Sequence, residues 1–288
     1  MPSSAEQIPL LDLPPLEKQI RIRNLKKPFW TENKAKLIER YIYYFEQITR
    51  HGTYIDGFAG PQEEKNSEMW SAKLVLELRP RWLRHFYLIE KSAAQTKRLR
   101  ELVNRQPPRD PKKEPKREVI LKRGDVNDVL PTLLAERPIT EAEATFCLLD
   151  QRTFECHWST VGAVAEYKRA GLKIEIFYFF PIGWLDRALS ALRDEKKARA
   201  WWGNDEWRRL EGLGSIARGE LIAARFRTEL GYKYATPFPI FERKGGGRIM
   251  YFMVHASDHD EAPKLMWRAY HNAVRPMDLD VQLEFGSA

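Results

Sequence analysis

Cysteine is nearly absent: Cys147 and Cys156 are the two thiols in 288 residues. That is too few for a disulfide framework of the kind that holds small secreted domains together. Long apolar runs are missing as well. None approaches the roughly 20 residues a membrane-spanning helix needs, so no membrane partner is expected. There is no Gly-x-x-x-x-Gly-Lys-Ser/Thr loop, which counts against a P-loop nucleotide hydrolase. No internal repeat is visible. The opening stretch, "MPSSAEQIPLLDLPPLEK", carries acids and prolines where a secretory signal would have a basic stretch and an apolar core, so the expected location is a bacterial cytoplasm.

What is present is the composition of a folded protein. A hydrophobic share of 43% excludes a disordered chain, and the length suits one α/β core with a sizeable insertion. Lysine and arginine number 48 against 40 acids, a net charge of +8. The excess is spread along the chain, so it permits a polyanionic partner without requiring one.

After a Pro-punctuated lead-in, "TENKAKLIERYIYYFEQITRHG" predicts a helix. Thr31 stands at its N-cap, Leu37, Tyr41, Tyr44, Phe45 and Ile48 recur at helical spacing, and Gly52 closes it. "TYIDGFAG" reads as a short buried strand running into a glycine loop. Helix-like and strand-like stretches then alternate through "SAKLVLELRPR", "HFYLIEK", "SAAQTKRLRELVNRQ", "EVILKRGDVNDVLPTLLAE", "ATFCLLDQRTFECHW", "STVGAVAEYKRAGL" and "KIEIFYFFPIGW". Such alternation predicts a mostly parallel, doubly wound sheet. The Pro-rich loop 106–118 is mixed in sign and reads as a surface excursion.

From Leu185 to Gly231 strand signals cease and arginine and tryptophan accumulate, which reads as a helical cap. "ATPFPIFERKGGGRIMYFMVHAS" then predicts an antiparallel hairpin at the sheet edge, followed by a last helix. The expected divisions are an N-terminal extension (1–30), a first part of the core (31–184), the cap insertion (185–231) and the C-terminal part of the core (232–288).

Acids end four successive predicted strands: Asp56, Glu90, Asp125 and Asp150. In open α/β sheets ligands bind outside the carboxyl ends of the strands, so four acids there imply a shared site. Gly57 and Gly60 after the first strand suit close backbone approach to a nucleotide-like ligand, and Glu90 stands where an acid accepts from ribose hydroxyls.

The blocks "YIDGFAG" with Pro61, "FYLIEK", "GDVND", "LLDQ", "FYFFPIGW" and "YFMVHAS" resemble the three-Cys-motif partner protein family across roughly residues 30 to 275. The core of that family resembles class I S-adenosylmethionine-dependent methyltransferases. The resemblance implies an α/β, Rossmann-like methyltransferase fold with S-adenosylmethionine as cofactor. Asp56, Gly57, Phe58 and Gly60 would line its methionine and ribose part. Glu90, with Lys91, would hold the ribose, and Asp125 and Val126 would flank the adenine. Asp150 and Gln151 would take the catalytic position. The family's name also implies a partner, a three-cysteine protein similar to radical S-adenosylmethionine enzymes.

Two departures stand out. Gln62 replaces a further glycine after the proline, which puts a side chain into a loop that benefits from close backbone approach. Gln151, Arg152 and Thr153 replace the Pro-Pro-aromatic run that stacks the base in amine-directed nucleic-acid methyltransferases, leaving Phe154 or Trp158 to supply a ring. An oxygen target or another substrate stays open. So does a catalytically degenerate fold that acts as a partner or regulator in a phage- or defence-related operon.

Other constellations point less far. His255, Asp258, His259 and Asp260 straddle a strand-to-helix junction rather than one helix face, so no metal site is expected. Cys156 beside His157 lacks a third partner, and Cys147 reads as core. The cap's Trp201, Trp202 and Trp207 among Arg199, Arg208, Arg209, Arg218, Arg225 and Arg227 suit either a nucleic-acid platform or the cap's own core and solvated face.

Overall fold

The computed structural model describes residues 34–61, 69–191, 194–241 and 248–273. The N-terminal extension, the Thr31 cap, Gln62 and the glycine turn of the hairpin lie outside them.

Seven strands form one sheet: β1 (Thr53–Asp56), β2 (His85–Glu90), β3 (Glu118–Arg123), β4 (Thr145–Leu149), β5 (Glu175–Pro181), β6 (Tyr234–Phe241) and β7 (Ile249–Ser257). Their spatial order is β3-β2-β1-β4-β5-β7-β6. The first five strands run parallel, while β7 is antiparallel to both β5 and β6. This is a mixed α/β architecture compatible with a Rossmann-like fold, with the expected hairpin at its edge. β6 carries Pro237 and Pro239 and pairs with β7 alone. An edge strand tolerates two residues that cannot donate to a ladder.

The helices are α1 (Lys34–Thr49), α2 (Ser71–Glu77), α3 (Ala93–Asn104), α4 (Val126–Ala135), α5 (Trp158–Ala165), α6 (Leu185–Ser190), α7 (Glu195–Trp202), α8 (Ser215–Thr228) and α9 (Ala262–Asn272), with a 3₁₀ turn at Asp205–Leu210. Strand alternation sorts them into two layers, because successive side chains leave opposite faces of a sheet. Tyr54, Phe86, Leu88, Phe146, Leu148, Phe177 and Phe179 pack on one face with α1, α2, α3 and α9. Ile55, Tyr87, Ile89, Cys147, Leu149, Tyr178 and Phe180 pack on the other with α4, α5, α6, α7 and α8. Burying each large apolar side chain of these layers contributes about 1.5–3 kcal/mol.

The segment 185–231, expected as a helical cap inserted into the core, packs as a helical layer on this second face of the sheet. Trp201, Trp202, Ile222, Ala223 and Phe226 belong to the same apolar cluster as the central strands. The three indoles of Trp201, Trp202 and Trp207 are all buried, which removes them as a stacking platform for bases. The arginines are matched locally: Arg199 to Asp205, Arg208 to Glu195, Arg209 to Glu206 and Arg218 to Asp186. Arg227 donates to the Ala235 carbonyl. Arg225 lies between the rings of Trp158 and Trp202, 4.1 and 4.2 Å from their centroids, and grips Glu229. Guanidinium groups stacked on indoles hold packed layers together as well as they hold nucleic acids, which is why composition alone left both readings open.

Loop 106–118 is more than a surface excursion. Its Glu114 is buried and accepts from Arg79 and Arg81.

Candidate functional site at the carboxyl edge of the sheet

β1 lies between β2 and β4, so the chain leaves the sheet's centre in opposite directions on its two sides. Such a switch point opens a crevice at the carboxyl ends of the strands. Here the crevice is a cleft of about 840 Å³. That lies within the roughly 300–1,000 Å³ of small-molecule and cofactor sites. Gly57, Phe58, Gly60, Glu90, Lys91, Asp125, Val126 and Asp150 all line it. Eight of the ten positions expected from the sequence thus meet at one place.

The glycine loop is held tightly. Gly57 N–H donates to the Leu148 carbonyl and Ala59 N–H to that of Ile89, tying the loop to β4 and β2. A Cβ on Gly57 would come within 2.9 Å of both Leu149 and Val126, and one on Gly60 would overlap the Glu90 carboxylate and the Gln95 amide oxygen. Only glycine permits this closeness of backbone to the neighbouring strands. Glu90 accepts from Gly60 N–H through one oxygen at 2.9 Å and from Ser92 N–H through the other at 2.7 Å. Each oxygen keeps a further lone pair, so a vicinal diol has an acceptor there.

Asp125 caps α4, accepting from Asn127 N–H at 3.0 Å, and pairs with the exposed Lys91. Partial burial alone would raise its pKa, but Lys91 and the Asn127 N–H outweigh that and hold it low. Asn127 joins two loops: its oxygen accepts from His157 N–H and the Thr160 hydroxyl, and its amide donates to the Glu155 carbonyl. Of the two rings considered from this segment, Phe154 lines the cleft and packs on Trp201, whereas Trp158 is buried against Phe226.

Two expected residues lie elsewhere. Asp56 sits beneath the loop in a small adjoining cavity of about 10 Å³ that Asp150 also lines. It accepts from Phe58 N–H and from the Tyr54 hydroxyl. Burial, with the Asp150 and Glu90 charges nearby, pushes it up to about 7. Gln151, expected beside Asp150 as a catalytic residue, does not line the cleft. It is buried, its amide donates to the Phe179 carbonyl, and its oxygen accepts from Glu155 and Cys156 N–H. It braces the turn after β4 and leaves Asp150 alone at the cleft.

Asp150 has an unforeseen partner. Lys34, in the first turn of α1, contacts its two oxygens at 2.9 and 2.7 Å across 116 positions of sequence. A lysine on a helix gives no local signal of such a pairing. Among the described residues no three His, Cys, Asp or Glu side chains gather as metal ligands. His255 binds Glu175 instead. Both thiols are buried, and burial pushes them far from the thiolate form. No helix among the described residues is long and apolar enough to cross a membrane.

No family model matches the chain, and no curated protein does. Among solved structures it is distantly similar to that of protein LPL1258 from Legionella pneumophila, of family DUF519, at 11% identity over 62% of this chain and 76% of that one. The TM-score is 0.37, too low to carry an argument.

Proposed function

We infer that this chain is an S-adenosylmethionine-dependent methyltransferase acting on a nucleic acid or another large substrate. The observation that carries the reading is the convergence of Gly57, Gly60, Glu90, Asp125 and Asp150 from the ends of four strands onto one cleft. The mostly parallel sheet with an antiparallel hairpin at its edge is compatible with the Rossmann-like fold that the class I methyltransferase resemblance implies. The residues suit the cofactor: a crowded glycine turn, an acid with spare lone pairs at β2 for ribose hydroxyls, and Asp125 with Val126 for an adenine.

When bound, the cofactor supplies an activated methyl on a sulfonium. The chain's task is to align an acceptor in line with it and to receive a proton if one must leave. Asp150 stands at the cleft for that. The rim carries Arg152 and Lys197, cations that suit an anionic substrate.

A second reading is a protein that keeps the fold as a binding partner, including one for a three-cysteine radical S-adenosylmethionine-like protein. One observation favours it: Glu90, Asp125 and Asp150 are all engaged within the chain itself. Calorimetric titration with S-adenosylmethionine and S-adenosylhomocysteine separates the cases. The expected result is micromolar binding that Glu90→Ala abolishes. Absence of binding by the wild type would refute the enzyme reading.

A further inference from the structure

Asp150 is not a bare carboxylate at the cleft. The Lys34 ammonium bridges its two oxygens, and both side chains are nearly buried, at 12 and 5% exposure. The same ammonium lies 5.9 Å from the Phe179 ring centroid and 5.7 Å from that of Tyr251. The two rings pack together at 4.7 Å, and Trp184 stacks on Phe179. The position is thus fixed from three elements: α1, β5 and β7. The Tyr251 hydroxyl, buried in this cluster, has no hydrogen-bond partner among the described residues. The Asp150 charge reaches it, since burial first and Asp150 second raise its pKa.

The sign of charge at this point selects the acceptor atom. A nitrogen that takes a methyl from a sulfonium becomes cationic before it loses a proton, and a lone carboxylate favours that charge. An ammonium beside the carboxylate opposes it. A hydroxyl oxygen loses its proton as it attacks and gains negative charge, which an ammonium beside the proton acceptor favours. The pair Lys34 and Asp150 is neutral overall and offers both a proton acceptor and a fixed cation, the combination an O–H group needs.

We propose that the acceptor of this site is a hydroxyl group, with Asp150 receiving its proton and Lys34 acting as a positioning residue that orients the carboxylate and favours the developing oxygen charge. The inference rests on the methyl-transfer reading above. In the step, the hydroxyl oxygen forms a bond to the methyl carbon while the carbon–sulfur bond breaks, its electron pair remaining on sulfur as a neutral thioether. The hydroxyl proton passes to the Asp150 carboxylate and from there to water in the cleft. Lys34 stays protonated throughout, and no other reactant is required.

The test uses the full-length protein with S-adenosylmethionine labelled in its methyl group, and total bacterial RNA, DNA and protein as acceptors, the products digested and identified by mass spectrometry. Wild type is compared with Lys34→Gln, which keeps an N–H donor without charge, Lys34→Arg, which keeps both, and Asp150→Asn. Cofactor titration of each variant reports that it is folded and loaded. The expected result is label on oxygen, loss of about 100-fold or more in Lys34→Gln and Asp150→Asn, and a Lys34→Arg rate within about tenfold of wild type. Label on nitrogen or carbon, a Lys34→Gln rate equal to wild type, or cofactor binding without label in any acceptor would each overturn the proposal while leaving the cofactor site standing. Failure of the wild type to bind the cofactor would instead remove the reading on which it rests.

Discussion

Asp56→Asn should remove the pH dependence that this buried acid imposes on stability. Asp56 is 1% exposed and its two acceptor contacts, Phe58 N–H and the Tyr54 hydroxyl, do not offset its burial, so it titrates at about 7 in the folded chain rather than at the ordinary 3.8. Because the folded value is the higher one, the folded state holds the proton more strongly. Its stabilising effect is complete below pH ~4 and is lost as the pH rises to about 7. Across that span the cost is about 4 kcal/mol, at ~1.4 kcal/mol per pH unit; the part above pH 5 is about 3 kcal/mol. Asparagine keeps the shape of the protonated acid. Urea unfolding of both proteins at pH 5 and pH 8 should therefore show the difference between variant and wild type moving by about 3 kcal/mol in favour of the variant. Glu46 is also pushed to about 7 by burial, but it is common to both proteins and cancels in this comparison. Parallel stability at the two pH values would mean that Asp56 is already ionised at pH 5 and that its two hydrogen bonds outweigh its burial. The same acid bears on binding, since a cationic ligand favours its ionised form: affinity for S-adenosylmethionine should rise from pH 5 to 8 in the wild type and stay flat in Asp56→Asn.

Two further outcomes follow from the geometry around the cleft. Gly60→Ala places a methyl where the Glu90 carboxylate and Gln95 amide now lie, so Glu90 must leave the loop; circular dichroism should show a folded protein, while calorimetry shows cofactor affinity reduced by about tenfold or more, the worth of one charge-assisted hydrogen bond. Gln151→Leu leaves the Phe179 carbonyl and two N–H groups unpaired in the core, which should lower unfolding stability by about 2–4 kcal/mol in urea titrations; transfer activity per folded molecule should hold, whereas a residue acting on substrate would lose activity at full stability.

The frame of the molecule was legible because strand and helix periods are local. "HFYLIEK" and "ATFCLL" read as strands from their own apolar runs, and β2 and β4 lie where those runs are. The acids that end them were legible for the same reason: a strand's last residue is set by sequence, and its place at the carboxyl edge follows from parallel order. Contacts between distant elements were not legible. Lys34 meets Asp150 because α1 packs beside β5 and β7, which no spacing within "TENKAKL" encodes. Gln151 was grouped with Asp150 by adjacency, whereas its amide reaches the Phe179 carbonyl in the core, a contact no spacing within "LLDQ" encodes. The tryptophans of α7 were ambiguous since an aromatic, basic helix has the same composition whether it faces a nucleic acid or a sheet.

The central place of β1 also dictates an order of events during synthesis. Its one edge is matched by β2 about 30 residues later, but its other edge pairs with Thr145–Leu148, some 90 residues further along the chain. Any half-sheet of β1, β2 and β3 that forms before β4 is made leaves the wholly buried "TYID" strand with one edge unpaired. An open apolar edge invites pairing with other chains. Release of β4 from the exit tunnel is then the event that seals the half-sheet, and a pause in translation before residue 149 would prolong exposure of the segment on which the cleft is later built.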